Sequence, residues 1–197
     1  MSKRNSTART RFESMCQSRN LDKNVLLKKT KLLLQCYQDI CWSDESYQQM
    51  YIDDYGNFCY RNPDLLQAID YLEGFNPDTS RQIFIEKVST LFDKKWLIEL
   101  IDSAMFRVRD FPRTGQLYHT ILTDCYMSHA EFKESDMLSL LNIERSLYYD
   151  RKREAIMVFA ISFWDRAIPK MKDMICNPEY DSDAWQNDFI EGRKEVV

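Results

Sequence analysis

Apolar residues recur along this chain every three to four positions, the spacing of helices with one buried face. Over residues 22–42, Val25, Leu26, Leu32, Leu33, Cys36 and Ile40 share one side. Lys29 interrupts that face and can snorkel its ammonium to water. Asn62-Pro63-Asp64 opens another helix that ends near Gly74, with Pro near the start and Gly near the end as helix ends prefer. Asn76-Pro77-Asp78-Thr79 is a second start signal. It leads into a helical stretch to about Arg109, with Phe84, Val88, Leu91, Leu97, Leu100, Ile101, Ala104 and Val108 inward. A break near Asp93-Lys94 divides that stretch in two, and the apolar run from Trp96 to Ile101 predicts burial on more than one side. No segment alternates as a strand would, and no internal repeat or low-complexity tract appears. The fold class read from this pattern is all-α.

The stretch from Glu134 to Phe159 reads as a helix-turn-helix. Residues 135–141 form a short helix with Leu138 and Leu141 inward. Asn142 stands at the tight turn, where it can adopt positive φ more readily than any residue but Gly. Ile143 plugs the gap, and a second helix begins at Arg145 with an inner stripe of Tyr148, Ala155, Ile156 and Phe159. Its other face carries Arg145, Ser146, Tyr149 and Arg153. Four basic residues and one acidic lie between Arg145 and Arg153. Such a face suits a DNA major groove, because Arg can form two hydrogen bonds to a guanine edge and Ser or Tyr can reach bases or phosphates. Arg151 and Lys152, nearer the backbone, would neutralise phosphates together with Arg153. The plain alternative is a helical hairpin whose charged side is merely solvated.

The residues Leu141, Ile143, Ser146, Tyr148, Tyr149, Lys152, Glu154, Ala155 and Ile156 give this segment a specific likeness. It resembles the C-terminal promoter-binding domain of sigma factors, and more so the phage late-gene regulators of the ArpU and RinA type. The upstream run Phe111, Pro112, Gly115, Tyr118, Ile121, Leu122 and Tyr126 resembles that family's approach to the motif. The likeness covers about residues 111–166 and none before. It implies a sigma-factor-like DNA-binding domain, double-stranded DNA as partner, and RNA polymerase as a further partner. Glu144 departs from the pattern, since the family usually places Ser there, and Glu is the poorer N-cap.

Charge adds a second layer. The chain is 197 residues long with a net charge of −4, so nucleic-acid binding is not advertised by the whole. The first twenty residues, however, carry five basic groups and one acidic, whereas residues 42–80 carry eight acidic and one basic. Residues 1–20 lack periodicity and read as a basic disordered arm, either a solubilising tail or a segment that tracks a minor groove. Residues 43–62 form a tyrosine-rich acidic connector. Residues 169–197 form an acidic tail in which Trp185, Phe189 and Ile190 mark a short helix. The expected organisation is the arm, a helical region over 21–110, the DNA-binding domain over 111–168, and the tail.

Cys16, Cys36, Cys41, Cys59, Cys125 and Cys176 form no CxxC pair and no secretory segment precedes them, which implies reduced thiols in a cytoplasm. Cys36 and Cys125 fall in apolar patterns as core residues. His119 and His129 have no ligand partner nearby in sequence, so neither metal nor cofactor is expected. No apolar run approaches the roughly 20 residues of a membrane span. Without a phosphate loop or nucleophile motif, an enzyme is not expected. The sequence thus points to a helical scaffold followed by a DNA-reading helix-turn-helix, with homodimerisation as an added option. The competing reading is a protein-interaction adaptor using the acidic, tyrosine-rich region.

Overall fold

The computed structural model describes residues 6–42, 63–91, 94–128 and 133–176. All regular elements among them are helical: α1 (Thr7–Ser18), α2 (Lys23–Trp42), α3 (Pro63–Gly74), α4 (Arg81–Leu91), α5 (Lys94–Arg109), α6 (Gly115–Leu122), α7 (Glu134–Leu141), α8 (Arg145–Ala160) and α9 (Ile168–Cys176). A π turn, Thr123–Met127, extends α6, and a second, Ile161–Ala167, joins α8 to α9. The all-α class expected from periodicity is therefore the class observed. Among the described residues no helix is long and apolar enough to cross a membrane.

The sequence places the boundaries of several helices directly. Asp22 caps α2 by accepting the Asn24 and Val25 backbone N–H groups, both at 2.8 Å. Pro63 and Gly74 bound α3 as expected. Asn76 and Asp78 form a turn, with the Asp78 N–H donating to Asn76 Oδ1 at 3.0 Å, and α4 starts only after Ser80, whose Oγ accepts the Ile83 N–H at 3.3 Å. Asn76-Pro77 thus marks the turn before the helix rather than the helix itself. Phe84 and Val88 are buried, as are Trp96, Leu97, Ile98, Leu100 and Ile101. That last run is buried on more than one side, as its unbroken apolarity demands. Lys29 reaches past the apolar face to the Glu73 carbonyl and lies 4.9 Å over the Phe75 ring.

The first twenty residues differ from expectation. Ser6 accepts the Arg9 N–H at 3.3 Å, and a helix follows that buries Ala8, Phe12, Met15 and Cys16. These positions are spaced 4, 3 and 1 apart, a single helical stripe hidden among polar neighbours. Its basic residues have local partners: Arg9 pairs with Glu13 at 3.2 Å, Arg11 lies over the Phe111 ring, and Arg19 pairs with Asp165 at 2.8 Å. Residues 7–18 are thus part of the core and not a disordered arm; residues 1–5 lie outside the described part.

Arg19 also explains how the longest helical run is sustained. The Ile168 N–H donates to Phe163 O across the second π turn, so Trp164 O loses its ordinary α-helical donor. Pro169 has no N–H, so Asp165 O loses its donor too. The Arg19 guanidinium donates to both carbonyls, each at 3.3 Å. The indole N–H of the same Trp164 donates to the buried Thr30 hydroxyl at 3.0 Å, tying the turn to α2. The helix consequently runs through the expected boundary at 168/169 to Cys176, and residues 177–197, with the expected short helix of Trp185, Phe189 and Ile190, lie outside the described residues.

One main core joins α1 to α6, α8, the second π turn and α9. A second cluster is much smaller, with Ile121, Met137 and Tyr148 buried and Leu117, Cys125, Leu138, Leu141 and Ile143 packed against them. The corner between α5 and α6 is tight. A Cβ at Gly115 would fall 2.1 Å from the Arg109 carbonyl oxygen, so space dictates glycine there.

Candidate nucleic-acid interface

The Glu134–Leu141 helix, a three-residue turn and the start of α8 rest on the small cluster. The turn is set by Asn142, at φ 49° and ψ 47°. The Ile143 N–H donates to Leu138 O and the Asn142 N–H to Ser139 O, both at 3.3 Å, the paired bonds that close a helix on a left-handed residue. Leu138 and Ile143 both enter the small cluster, so the apolar contact that accompanies this motif is present. Met137 is the fully buried residue of α7, while Leu138 and Leu141, the expected inward pair, are half-buried. Glu144 supplies no side-chain cap, although its carbonyl accepts the Tyr148 N–H at 2.9 Å.

The two sides of α8 separate as the periodicity requires. Tyr148, Ala155, Ile156 and Phe159 are buried, and Arg145, Ser146, Tyr149 and Arg153 are exposed. Arg145 and Tyr149 converge on one carboxylate. Arg145 Nε lies 2.7 Å from Glu134 Oε1, and the Tyr149 hydroxyl donates to Glu134 Oε2 at 3.0 Å. Eleven and fifteen residues separate these partners in sequence. Only the tight turn brings them together, which is why the sequence reading missed Glu134. Arg153 has no ion-pair partner among the described residues.

Arg151 and Lys152 are held differently. The half-buried Arg151 donates to Glu154 Oε2 at 2.6 Å, and the Tyr118 hydroxyl donates to the same oxygen at 2.8 Å. Burial by itself would raise the Glu154 carboxyl pKa, but bonds from Ser6, Tyr118 and Arg151 outweigh it and hold the group below its ordinary value. Lys152 Nζ lies 5.1 Å over the ring of Tyr126, whose hydroxyl pKa burial pushes up to about 12. Lys152 therefore ties α8 to the π extension of α6, while Arg151 braces the Glu154 carboxylate that receives the Tyr118 hydroxyl of α6. Behind them the Tyr148 hydroxyl lies 3.0 Å from Cys125 Sγ, and burial raises its pKa strongly. Arg9 and Arg113 extend this basic surface, lining with Arg151 and Arg153 a cleft of about 530 Å³ beside α8. Nothing in their local sequence pairs them with α8.

Among the described residues no group of three or more His, Cys, Asp or Glu side chains is placed to hold a metal ion. Cys36 is buried, its thiol pKa pushed up to about 11 by that burial. Cys16, Cys36, Cys41, Cys125 and Cys176 are all free thiols. Cys59, His129 and the tyrosine-rich connector lie outside the described residues. Comparison with protein-family models, with curated proteins and with solved structures finds no match to this chain.

Proposed function

We propose that this protein is a sequence-specific DNA-binding transcriptional regulator, similar in its reading unit to sigma-factor C-terminal domains and phage late-gene regulators. The observation that carries this reading is the exposed Arg145, Ser146, Tyr149 and Arg153 face, opening a helix directly after the Asn142 turn. A helix presented this way can enter a major groove with its first two turns, while its later turns stay anchored in the protein. Glu134 fits the same role. In the free protein it holds Arg145 and Tyr149 in place, and a base edge or phosphate would replace it on binding. Replacement has a cost, so a non-cognate site that offers no matching acceptor is disfavoured. RNA polymerase contact and homodimerisation belong to this reading as proposals.

The test is a DNA titration with fragments of the protein's own genomic neighbourhood at two salt concentrations. Wild type should prefer one fragment, with affinity falling as salt rises. Arg145→Ala/Arg153→Ala should erase that preference, and unchanged preference would sink the assignment. The adaptor reading through the acidic, tyrosine-rich region concerns residues outside the described part; the exposed Leu140 and Leu147, 64% and 39% accessible, instead suit a protein partner at the tip itself. A wild-type protein that shows no salt-dependent DNA binding would favour it.

A further inference from the structure

A second concave surface lies along the other end of the long helix, and its chemistry is unlike that of the acidic molecule around it. It is a cleft of about 480 Å³ bounded by α5, residues 110–112, the second π turn and the start of α9. Its floor is apolar, with Leu100, Val158, Ala167 and Met171 each at most 7% exposed. Its walls carry Arg11, Arg107, Arg109, Arg166 and Lys170. Among the described residues Asp110 is the one carboxylate in the lining, and Arg109 Nε already lies 3.4 Å from it. Four guanidinium groups thus line one concavity, with Lys170 beside them, in a chain whose net charge is −4. Like charges gathered in one concavity raise one another's energy, and a bound anion relieves that repulsion.

The arrangement favours one kind of anion. Arg11 lies 5.3 Å over the Phe111 ring and Arg109 5.3 Å over the Phe106 ring. Stacking steadies the guanidinium planes and leaves N–H edges for acceptor oxygens. Arg107 has no ion-pair partner among the described residues. Arg166 has a 3.4 Å contact to Asp165, a carboxylate that Arg19 engages more closely at 2.8 Å. Guanidinium forks match phosphate oxygens in pairs, and a group of such forks exceeds what a single carboxylate would use. An apolar floor has no purpose for inorganic phosphate alone, but it accommodates an apolar or planar body. The volume falls within the roughly 300–1,000 Å³ of small-molecule sites.

We propose that this cleft binds a phosphate-bearing ligand with a planar or apolar body, its oxygens held by Arg107, Arg109 and Arg166 and its body seated on Leu100, Val158 and Met171. Nucleotides and the exposed bases and phosphates of a nucleic-acid strand share that chemistry. The inference is independent of base reading by α8, since it uses none of Arg145, Ser146, Tyr149 or Arg153.

Calorimetric titration of the full chain with ATP, adenosine, inorganic tripolyphosphate and a single-stranded oligonucleotide tests it. ATP or the oligonucleotide should bind, and more tightly than adenosine or tripolyphosphate; tripolyphosphate binding as tightly would overturn the seat for the body. Arg107→Ala/Arg166→Ala should weaken that binding at least about tenfold through the lost charge-assisted bonds. Both side chains are exposed, so the variant keeps the fold. Binding of ATP assigns the phosphates to a free nucleotide, and binding of the oligonucleotide alone assigns them to a strand. If neither binds, or if the alanine variant binds as wild type does, the proposal is overturned.

Discussion

Helices α1 and α7 are both short, and both close on an asparagine in the left-handed conformation, Asn20 at φ 52° and Asn142 at φ 49°. The closing bonds match as well. Leu21 N–H donates to Cys16 O and Asn20 N–H to Gln17 O, as Ile143 and Asn142 donate to Leu138 and Ser139. Their burial differs sharply. α1 places Ala8, Phe12, Met15 and Cys16 in the main core, whereas α7 fully buries Met137 alone, in the small cluster. The same local chemistry therefore serves a foundation in one place and a displayed tip in the other. What separates them is the apolar area each contributes, since burial rather than helix propensity supplies most helical stability in a folded chain.

That contrast can be broken at its strongest point first. Phe12→Ala should destabilise the whole protein by about 3–5 kcal/mol, read as a lower denaturation midpoint by every probe. Met137→Ala should cost about 2 kcal/mol or more, chiefly within the tip. Amide exchange over residues 134–148 should then accelerate while α2 and α5 keep their protection. Equal loss of protection everywhere would show that the two clusters unfold as one. Asn142→Ala should cost about 1 kcal/mol through the left-handed backbone, while Asn142→Gly should be near neutral. Either order of stability other than glycine at or above alanine would contradict the turn geometry.

The smallest effect is a pH dependence in α6, between the two clusters. Burial and then the Arg109 charge lower the His119 pKa below its ordinary 6.5, while Asp110 and Asp124 oppose that shift. The unfolded chain thus binds this proton more readily than the folded one. The stability concerned is present above pH 6.5 and lost as pH falls through the lowered value. His119→Gln should flatten the fall in melting temperature between about pH 8 and about pH 5.5. A fall as steep as that of wild type would place the dependence elsewhere.

The parts legible in sequence were those governed by local chemistry. The ends of α3, the Asn142 turn and the two faces of α8 follow from periodicity and backbone preference, which neighbouring residues determine. The tip's apolar turn residue was legible for the same reason. Helix α1 was misread although its stripe was present, because Arg and Ser neighbours obscure four apolar positions that only a distant surface makes inward. The partners of Arg19 are the Asp165 carboxylate and two carbonyls about 145 residues away, the latter orphaned by a π turn and Pro169, and no local pattern announces them. Glu134 was hidden for a milder version of that reason: its contacts exist only once the turn is folded. The basic cleft draws on α1, α5, the second π turn and α9 together, so its parts look like scattered surface charges in one dimension.

The Arg19 contact also sets an order of events during synthesis. Helix α1 is made before the second π turn, and part of the structure it completes is made only after another 145 residues or so have been added. Until then Phe12 and Met15 lack part of their native surroundings, and the cost of closing so long a loop falls on the last steps of folding. The foundation that α1 provides is therefore completed by residues far along the chain, and its apolar stripe is fully covered only once α8 and the second π turn are in place.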